Sequence, residues 1–303
     1  MTTNKSLREQ ADEMYAKLTS KATASNASKV TNEERLKKYF NLVLPKGVQN
    51  LEKRIRILPT KDGSNPFVQQ KFHEIQLPDE KTGINRYVKI WDPAQEGQPS
   101  PLTDLQKMLY NSPKEGDKNL AKDYRSKDFI IVKVIDREEE EDGPKFWRFK
   151  VSYKNDGIFD KLMPVIRNTD DDEPINDRNV GRDLIVTLSL TTGNNGKPYT
   201  TVSSIIAASK TSLLSTDPQK AEAWINDEIT WDIAFPKKPI EYLQIIAEGD
   251  VPVWSITEKK YVAKGSTDDA TIGGGGSEIK VNVEIEPTED PQADEEPDED
   301  LPF

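Results

Sequence analysis

The chain has 303 residues, a net charge of −11, 34% hydrophobic and 31% charged residues, no cysteine and a single histidine, His73. Its length allows one large or two modest domains with a core; the missing cysteines exclude disulfides and thiolate sites, and one histidine excludes multi-histidine metal sites and most triad chemistry. No apolar run approaches the roughly 18 residues of a membrane span and the first residues lack the apolar segment of a secretory signal, so we predict a cytoplasmic protein.

The first predicted element is a short amphipathic helix at residues 5–18. Leu7, Ala11, Met14 and Leu18 recur at three- and four-residue spacings, which is the period of a helix with one apolar face. A polar linker of small residues, TSKATASNASK, follows it. A helix tethered in this way either frays, docks on its own body or docks on a neighbouring protomer.

From about residue 50 the apolar period changes to two, which predicts β-strands. KRIRILP, FVQQKFHEI and RYVKIW come first, then a more helical insertion at about 92–127, then DFIIVKVI and KFWRFKVSY. DGIFDKLMPVI is predicted as a helix, DLIVTLSLTT and KPYTTVSSII as a hairpin across GNNG, PIEYLQIIAEG as a helix and VPVWSITEKKYVAKG as an extended segment. The predicted fold is therefore mainly β with helical insertions, and its short strands favour an OB-type barrel core.

The C-terminal segment differs from the rest of the chain in charge. Residues 281–303 contain ten Asp and Glu residues and no Lys or Arg, whereas residues 1–280 are nearly neutral. The GGGGS run before this segment is typical of a flexible joint. We predict three parts, which are an N-terminal helix and linker at 1–30, a core at 31–264, and a Gly-rich hinge with a disordered acidic tail at 265–303.

The acidic tail ends in an apolar tip. Its last six residues are Asp298, Glu299, Asp300, Leu301, Pro302 and Phe303. Leu-Pro-Phe offers an apolar plug, a stiff bend and an α-carboxylate, which suit capture by a basic pocket of a partner protein. The carboxylates also mimic a nucleic-acid backbone, so we predict that the tail competes for the body's own cationic groove in a salt-screened manner. A tail that only solvates the protein is the alternative, and it has no use for an aromatic end.

Basic and aromatic side chains alternate on the predicted strands. Tyr87, Lys89 and Trp91 share one face of RYVKIW, and Arg148 and Lys150 share one face of KFWRFKVSY. Proteins bind single-stranded nucleic acid with this combination, because rings stack on unpaired bases and cations follow the phosphates. The alternative is a barrel interior filled by aromatic residues, with the cations solvated outside.

We assign Trp147, Phe149 and Val151 to the core and the opposite face of the same strand to a groove. The predicted phosphate contacts are Arg54, Arg56, Lys71, Arg86, Lys89, Lys145, Arg148, Lys150 and Lys154. The predicted base-stacking residues are Tyr87, Trp91, Tyr153 and Tyr199.

Two acidic segments are candidates for a metal site. Asp170, Asp171, Asp172 and Glu173 carry oxygen ligands that suit Mg²⁺, but consecutive acids in a turn point in alternating directions, which favours a solvated loop. The second segment, at 138–143, is predicted as a hairpin tip, and His73 as a structural strand residue. Since no P-loop, nucleophile elbow or paired-acid motif is present, we predict no enzyme activity, no metal and no cofactor.

Two resemblances bear on function. The tip DEDLPF resembles the acidic C-terminal tip of bacterial single-stranded-DNA-binding proteins, which recruits replication and repair enzymes. Over about residues 50–245, RIRILPTKDGSNPF, KDFIIVKVIDREEEEDGPKFWRFKVSYKNDGIFDKLMPVI and DLIVTLSLTTGNNGKPYTTVSSI resemble, in this order, the helix-destabilising single-stranded-DNA-binding proteins of T-even phages. The most specific part of the resemblance is IFDKLMPVI after FWRFK.

The phage resemblance implies an OB-type body that coats single-stranded DNA during replication, recombination and repair in an infected bacterial cell. It implies a tail that regulates DNA access and recruits partners such as polymerase, primase or helicase components, and an N-terminal helix for cooperative self-association. That family holds zinc with cysteines and a histidine between its early and later barrel strands; residues 92–127 contain neither residue type, so we predict no zinc. The N-terminal segment also lacks the family's dense basic run.

Three alternatives stay open from the sequence. One is an RNA-binding protein with the same barrel, and another is an acidic-tailed adaptor or chaperone that binds basic protein clients. The third is a metal-dependent nuclease, which rests only on residues 170–173.

Overall fold

The computed structural model describes residues 32–79, 83–154, 156–168, 174–193, 196 and 198–265. The helix predicted at 5–18, the acidic loop at 170–173 and the acidic tail with its tip lie outside these residues. The chain divides into two units, Met1–Lys37 and Lys38–Phe303. The described part of the first unit is one short helix, α1 (Asn32–Lys37).

The second unit consists of nine strands and five helices over its described ranges. The strands are β1 (Asn50–Ile57), β2 (Val68–Pro78), β3 (Asn85–Trp91), β4 (Ser126–Asp136), β5 (Lys145–Lys150), β6 (Leu184–Thr192), β7 (Pro198–Ala207), β8 (Pro252–Ser255) and β9 (Lys260–Ala263). The helices are α2 (Pro101–Tyr110), α3 (Glu115–Asp123), α4 (Ile158–Arg167), α5 (Pro218–Ile225) and α6 (Ile240–Ala247). The prediction of a mainly β fold with helical insertions is confirmed.

Seven strands form one antiparallel sheet in the order β3-β2-β4-β1-β6-β7, and β5 pairs with the second edge of β4. β4 is central because its first half pairs with β2, its last residues pair with β1, and its other edge pairs with β5. β8 and β9 form a separate hairpin. The strand pairings of the described residues do not close a barrel. The mainly β fold is therefore shown, whereas the OB-type barrel is not.

One face of the sheet carries the main apolar core. The period-two pattern turns Ile55 and Ile57 of β1 and Trp147 and Phe149 of β5 into this core, where α4 covers them with Leu162 and its apolar neighbours. The assignment of Trp147 and Phe149 to the core is therefore confirmed. The burial of these apolar side chains supplies free energy that offsets the conformational entropy the chain loses on folding.

The helical insertion predicted at 92–127 is confirmed as α2 and α3, and a polar network fixes its start to β2. Asp92 accepts hydrogen bonds from the Ser100 hydroxyl at 2.7 Å and from the Ala94 backbone N–H at 3.1 Å. His73 Nε2 lies 3.4 Å from Asp92 Oδ1, and His73 Nδ1 lies 2.7 Å from the Tyr124 carbonyl oxygen. The His73 imidazole is buried between both ends of the insertion, as expected for a structural strand residue.

Three local predictions differ from the structure. Helices α1 and α5 lie where no helix was predicted. Strand β5 ends at Lys150, whereas KFWRFKVSY predicts a strand to Tyr153. Tyr153 instead lies in a turn, where its hydroxyl donates to Asp128 Oδ2 at 2.9 Å. No helix within the described ranges is long and apolar enough to cross a membrane.

Candidate nucleic-acid interface

The register of β2, β3, β4 and β5 brings cations and rings together on the second face of the sheet. Glu74 lies opposite Lys89, Phe72 lies opposite both Trp91 and Lys127, and Phe129 lies opposite Lys150. Directly opposed residues of antiparallel strands point to the same side of the sheet. We call this surface the basic face, and its residues are Phe72, Glu74, Tyr87, Lys89, Trp91, Lys127, Phe129, Arg148 and Lys150.

Three lysines of the basic face converge on one carboxylate, and we call this group the lysine cluster. The Glu74 carboxylate lies 2.9 Å from Lys127 Nζ, 3.6 Å from Lys150 Nζ and 3.8 Å from Lys89 Nζ. The side chain of Lys89 is 8% exposed and that of Lys127 is 34% exposed. Lys127 therefore stands at the solvent side of the lysine cluster, with Lys89 beneath it.

The lysine cluster carries more positive than negative charge. Burial alone would raise the pKa of Glu74, but Lys89, Lys127 and Lys150 outweigh burial and hold that pKa below its usual value. Burial, followed by repulsion from Arg148, lowers the pKa of Lys89 to about 7, although Glu74 opposes this shift. The shift of Lys89 therefore reflects its burial first and the neighbouring cations second.

Aromatic rings surround Arg148 beside the lysine cluster. The Arg148 guanidinium carbon lies 4.1 Å from the ring centroid of Phe235, 4.8 Å from that of Phe72 and 5.7 Å from that of Phe129. Phe235 belongs to a segment that packs on this part of the sheet together with Tyr39 and Trp231. Arg148 thus interacts with three rings in the manner of a cation–π cluster, and these rings belong to a buried layer.

The exposed ring of the basic face is Tyr87. Trp91, which the sequence predicts as a stacking residue, is buried; its indole N–H donates to Gln70 Oε1 at 2.8 Å, and Lys237 Nζ covers its ring at 3.8 Å from the centroid. Tyr87 lies two residues before Lys89 on the same face and is 47% exposed. Tyr87 can therefore receive a base beside the lysine cluster, whereas Trp91 supports the site from below.

Arg56 and Lys145 were predicted as phosphate contacts, but both side chains are buried and cannot reach DNA. Arg56 is fully buried, because two loops cover its side of β1 and its guanidinium bonds to Asp183 at 2.9 Å. Lys145 is also buried, in ion pairs with Glu139 and Asp142 of the preceding hairpin tip. Both cations are used to hold the fold.

Two further predicted residues lie on the opposite face from the lysine cluster. Lys71 is exposed and lies opposite Asp128 in the β2–β4 register. Asp128 accepts a hydrogen bond from the Tyr153 hydroxyl, so Tyr153 lies beside Asp128, which is opposite Lys71. These residues form a separate polar patch near the start of β4.

The remaining predicted contacts are spread around the sheet. Arg54 and Lys154 are exposed, and Arg86 is exposed with an ion pair to Asp79 at 3.0 Å. Tyr199 lies on β7, at the opposite end of the strand order from β3. Of the thirteen predicted contacts, the structure groups Tyr87, Lys89, Trp91, Arg148 and Lys150 on the basic face.

Four residues of the basic face, Phe72, Glu74, Lys127 and Phe129, were not predicted as contacts, and neither was Lys237 beside it. Lys127 lies two residues before Phe129 in KDF, and Glu74 lies two residues after Phe72 in FHE. The period-two pattern could therefore have placed each of them on the same face as its neighbouring ring. Lys237 has no such signal, because it reaches Trp91 from a loop far along the chain. Within the described ranges, no three His, Cys, Asp or Glu residues come together as a metal site.

Neither a scan against models of protein families nor a search of curated proteins returns a match for this chain. Its function is therefore argued from the geometry and charge of the basic face.

Proposed function

We propose that this protein binds single-stranded DNA through the basic face without reading the base sequence. The lysine cluster carries the proposal, because three lysines meet around a single carboxylate, with Arg148 close enough to repel Lys89 and the exposed ring of Tyr87 on the same face. An unpaired strand presents phosphates for such cations and flat bases for such a ring. Neither contact depends on which base is present.

The proposal includes the fold type and the family. An antiparallel sheet built around β4, with α4 packed over its apolar face, is compatible with the core of an OB-type fold. We infer a relation to the helix-destabilising proteins of T-even phages, which coat single-stranded DNA during replication, recombination and repair. This inference is supported by the three sequence motifs, which occur in the same order as in that family, and by the basic face.

The acidic segment at 281–303 is the proposed regulator of the basic face. Its ten carboxylates offer the same kind of charge as a DNA backbone, so it competes with DNA at low salt and loses this competition as salt screens it. When DNA occupies the basic face, the tip at 298–303 becomes available to partner proteins of replication and repair.

The central experiment measures how the salt dependence of binding changes when two lysines are removed. Anisotropy of labelled oligo-dT is followed at several salt concentrations for the wild type and for the Lys127→Gln/Lys150→Gln variant. Affinity of the variant should fall, and the slope of log K against log salt should shrink by roughly 0.7 for each lost phosphate contact. Lys114→Gln/Lys118→Gln removes the same charge from exposed positions on and before α3 and should leave the slope unchanged.

Two outcomes would overturn the proposal. If oligo-dT does not bind the wild type, the basic face does not bind DNA. If both double variants lose the same affinity and slope, the effect is one of net charge and the lysine cluster has no special role. A matched RNA oligomer in the same titration identifies an RNA-binding protein if it binds more tightly than oligo-dT.

A further inference from the structure

The lysine cluster has the form of a discrete site for one phosphate group. We propose that Lys89, Lys127 and Lys150 bind a single phosphate of the DNA strand beside Glu74, and that Lys89 takes up a proton as this phosphate binds. The inference rests on the proposed function, since DNA supplies the phosphate. It adds that DNA affinity falls as the pH rises through neutrality.

The geometry provides convergent donors for one anion. The three ammonium groups lie between 2.9 and 3.8 Å from the oxygens of the same carboxylate, so they converge around one small volume at Glu74. Lys127 is the most exposed of them, and Tyr87 stands exposed beside Lys89 on β3. A phosphate arriving from solvent meets Lys127 first, while the nucleoside attached to it can stack on Tyr87.

The charges that face Lys89 come from the three strands that follow β3 across the sheet, which are β2, β4 and β5. They are Glu74 on β2, Lys127 on β4, and Arg148 and Lys150 on β5. In the free protein, burial and the three cations lower the pKa of Lys89 to about 7 against the attraction of Glu74. A bound phosphate adds negative charge at this point, which raises the pKa of Lys89 and draws a proton from solvent.

The sign and size of the pH effect follow from this linkage. With a pKa of about 7, the Lys89 amine of the protein without DNA is mostly charged at pH 6 and mostly neutral at pH 8. If the bound phosphate keeps Lys89 protonated up to about pH 9, affinity falls about tenfold between pH 6 and pH 8. Near pH 7, binding takes up roughly half a proton for each site.

The experiment titrates the full chain with short oligo-dT at pH 6 and pH 8 at constant ionic strength. Calorimetry at pH 7 in two buffers of different ionisation enthalpy counts the protons taken up. Lys89→Arg keeps the charge at every pH, so this variant should bind equally at both pH values and take up no proton. Lys89→Met has no titrating amine, so it should bind weakly at both pH values.

The Lys89→Arg variant is also an internal control, because it leaves every other titratable group of the chain in place. A wild-type pH dependence in this variant would therefore overturn the phosphate site. Equal affinity of the wild type at pH 6 and pH 8 would overturn it as well while DNA binding stands. Failure to bind oligo-dT at either pH would instead overturn the proposed function.

Discussion

Arg56 is a structural residue in this fold, so its removal should weaken folding and leave DNA binding intact. Its guanidinium donates from Nε to Asp183 Oδ1 at 2.9 Å, from Nη1 to the Asp177 carbonyl oxygen at 3.1 Å and from Nη2 to the Ser212 carbonyl oxygen at 3.0 Å. These bonds attach two loops to β1. Gly181 is required beside them, because a Cβ there would overlap both Asp177 and the guanidinium.

The expected cost of Arg56→Met is about 3–4 kcal/mol of unfolding free energy. Removing one partner of a buried ion pair costs about 3–5 kcal/mol, because the other charge stays buried. Arg137 offsets part of this cost, since its Nη2 also donates to Asp183 at 2.9 Å. Two part-buried carbonyls each lose a donor as well, although the Asp177 carbonyl keeps the Gly181 N–H at 3.2 Å and such terms do not add fully. Methionine keeps most of the apolar stem and so limits the cavity.

Urea unfolding of the wild type and the variant measures this cost. Arg54→Met is the matched control, because Arg54 is exposed on the same face of the same strand, and it should change stability by less than about 0.5 kcal/mol. If Arg56→Met costs under about 1 kcal/mol, the network does not hold the loops as argued. If Arg56→Met weakens oligo-dT binding at unchanged stability, Arg56 contacts DNA and is not a purely structural residue.

The remaining predictions concern the insertion and the acidic tail. Burial alone would raise the pKa of Asp92, but contacts from His73 and the Ser100 hydroxyl outweigh it and hold that pKa below its usual range. The stability from Asp92 is therefore present above the unfolded pKa, near 4, and is lost as pH falls below it. Asp92→Asn should cost about 1–3 kcal/mol at pH 7 and show a shallower loss in acid, measured by urea unfolding across pH. Deleting residues 278–303 should tighten oligo-dT binding most at low salt, whereas Phe303→Ala should leave that affinity unchanged while weakening binding to a purified replication partner; unchanged affinity of the deletion would rule out competition by the tail.

The strands were predictable because their pattern is set by one buried face. A period of two in β1, β4 and β6 reports the core under α4, and this face continues through β5. The insertion was predictable because its apolar spacing becomes helical between β3 and β4. Helix α5 was not, because its apolar residues, such as Trp224, pack on a small separate cluster that sets no long period. Strand pairing depends on distant segments, so the sheet order could not be read from local pattern.

The site was predictable only as far as the alternation of side chains along a strand determines the face of the sheet on which each one lies. Lys89 was placed with Tyr87 and Trp91 because the three share one face of their strand. Lys150 was placed in the groove because it lies on the face opposite the core residues Trp147 and Phe149. Alternation does not reveal which side a distant loop covers, and this is why Arg56 was predicted as a phosphate contact although loops at 177 and 212 bury it. Trp91 was misjudged for the same reason, since Lys237 covers its ring.

The excess of charge in the lysine cluster is the strongest argument that it binds an anion. Like charges about 4 Å apart repel by roughly 4 kcal/mol at the effective dielectric of a protein surface. Glu74 carries one negative charge for three lysines, and the low pKa of Lys89 shows that repulsion and burial win over attraction there. Lys127 and Lys150 stabilise the charge of Glu74, but each of them also repels Lys89. If the proposed function holds, a phosphate bound beside Glu74 would set attraction against this repulsion, while the contacts with Glu74 hold the three lysines together in the protein without DNA.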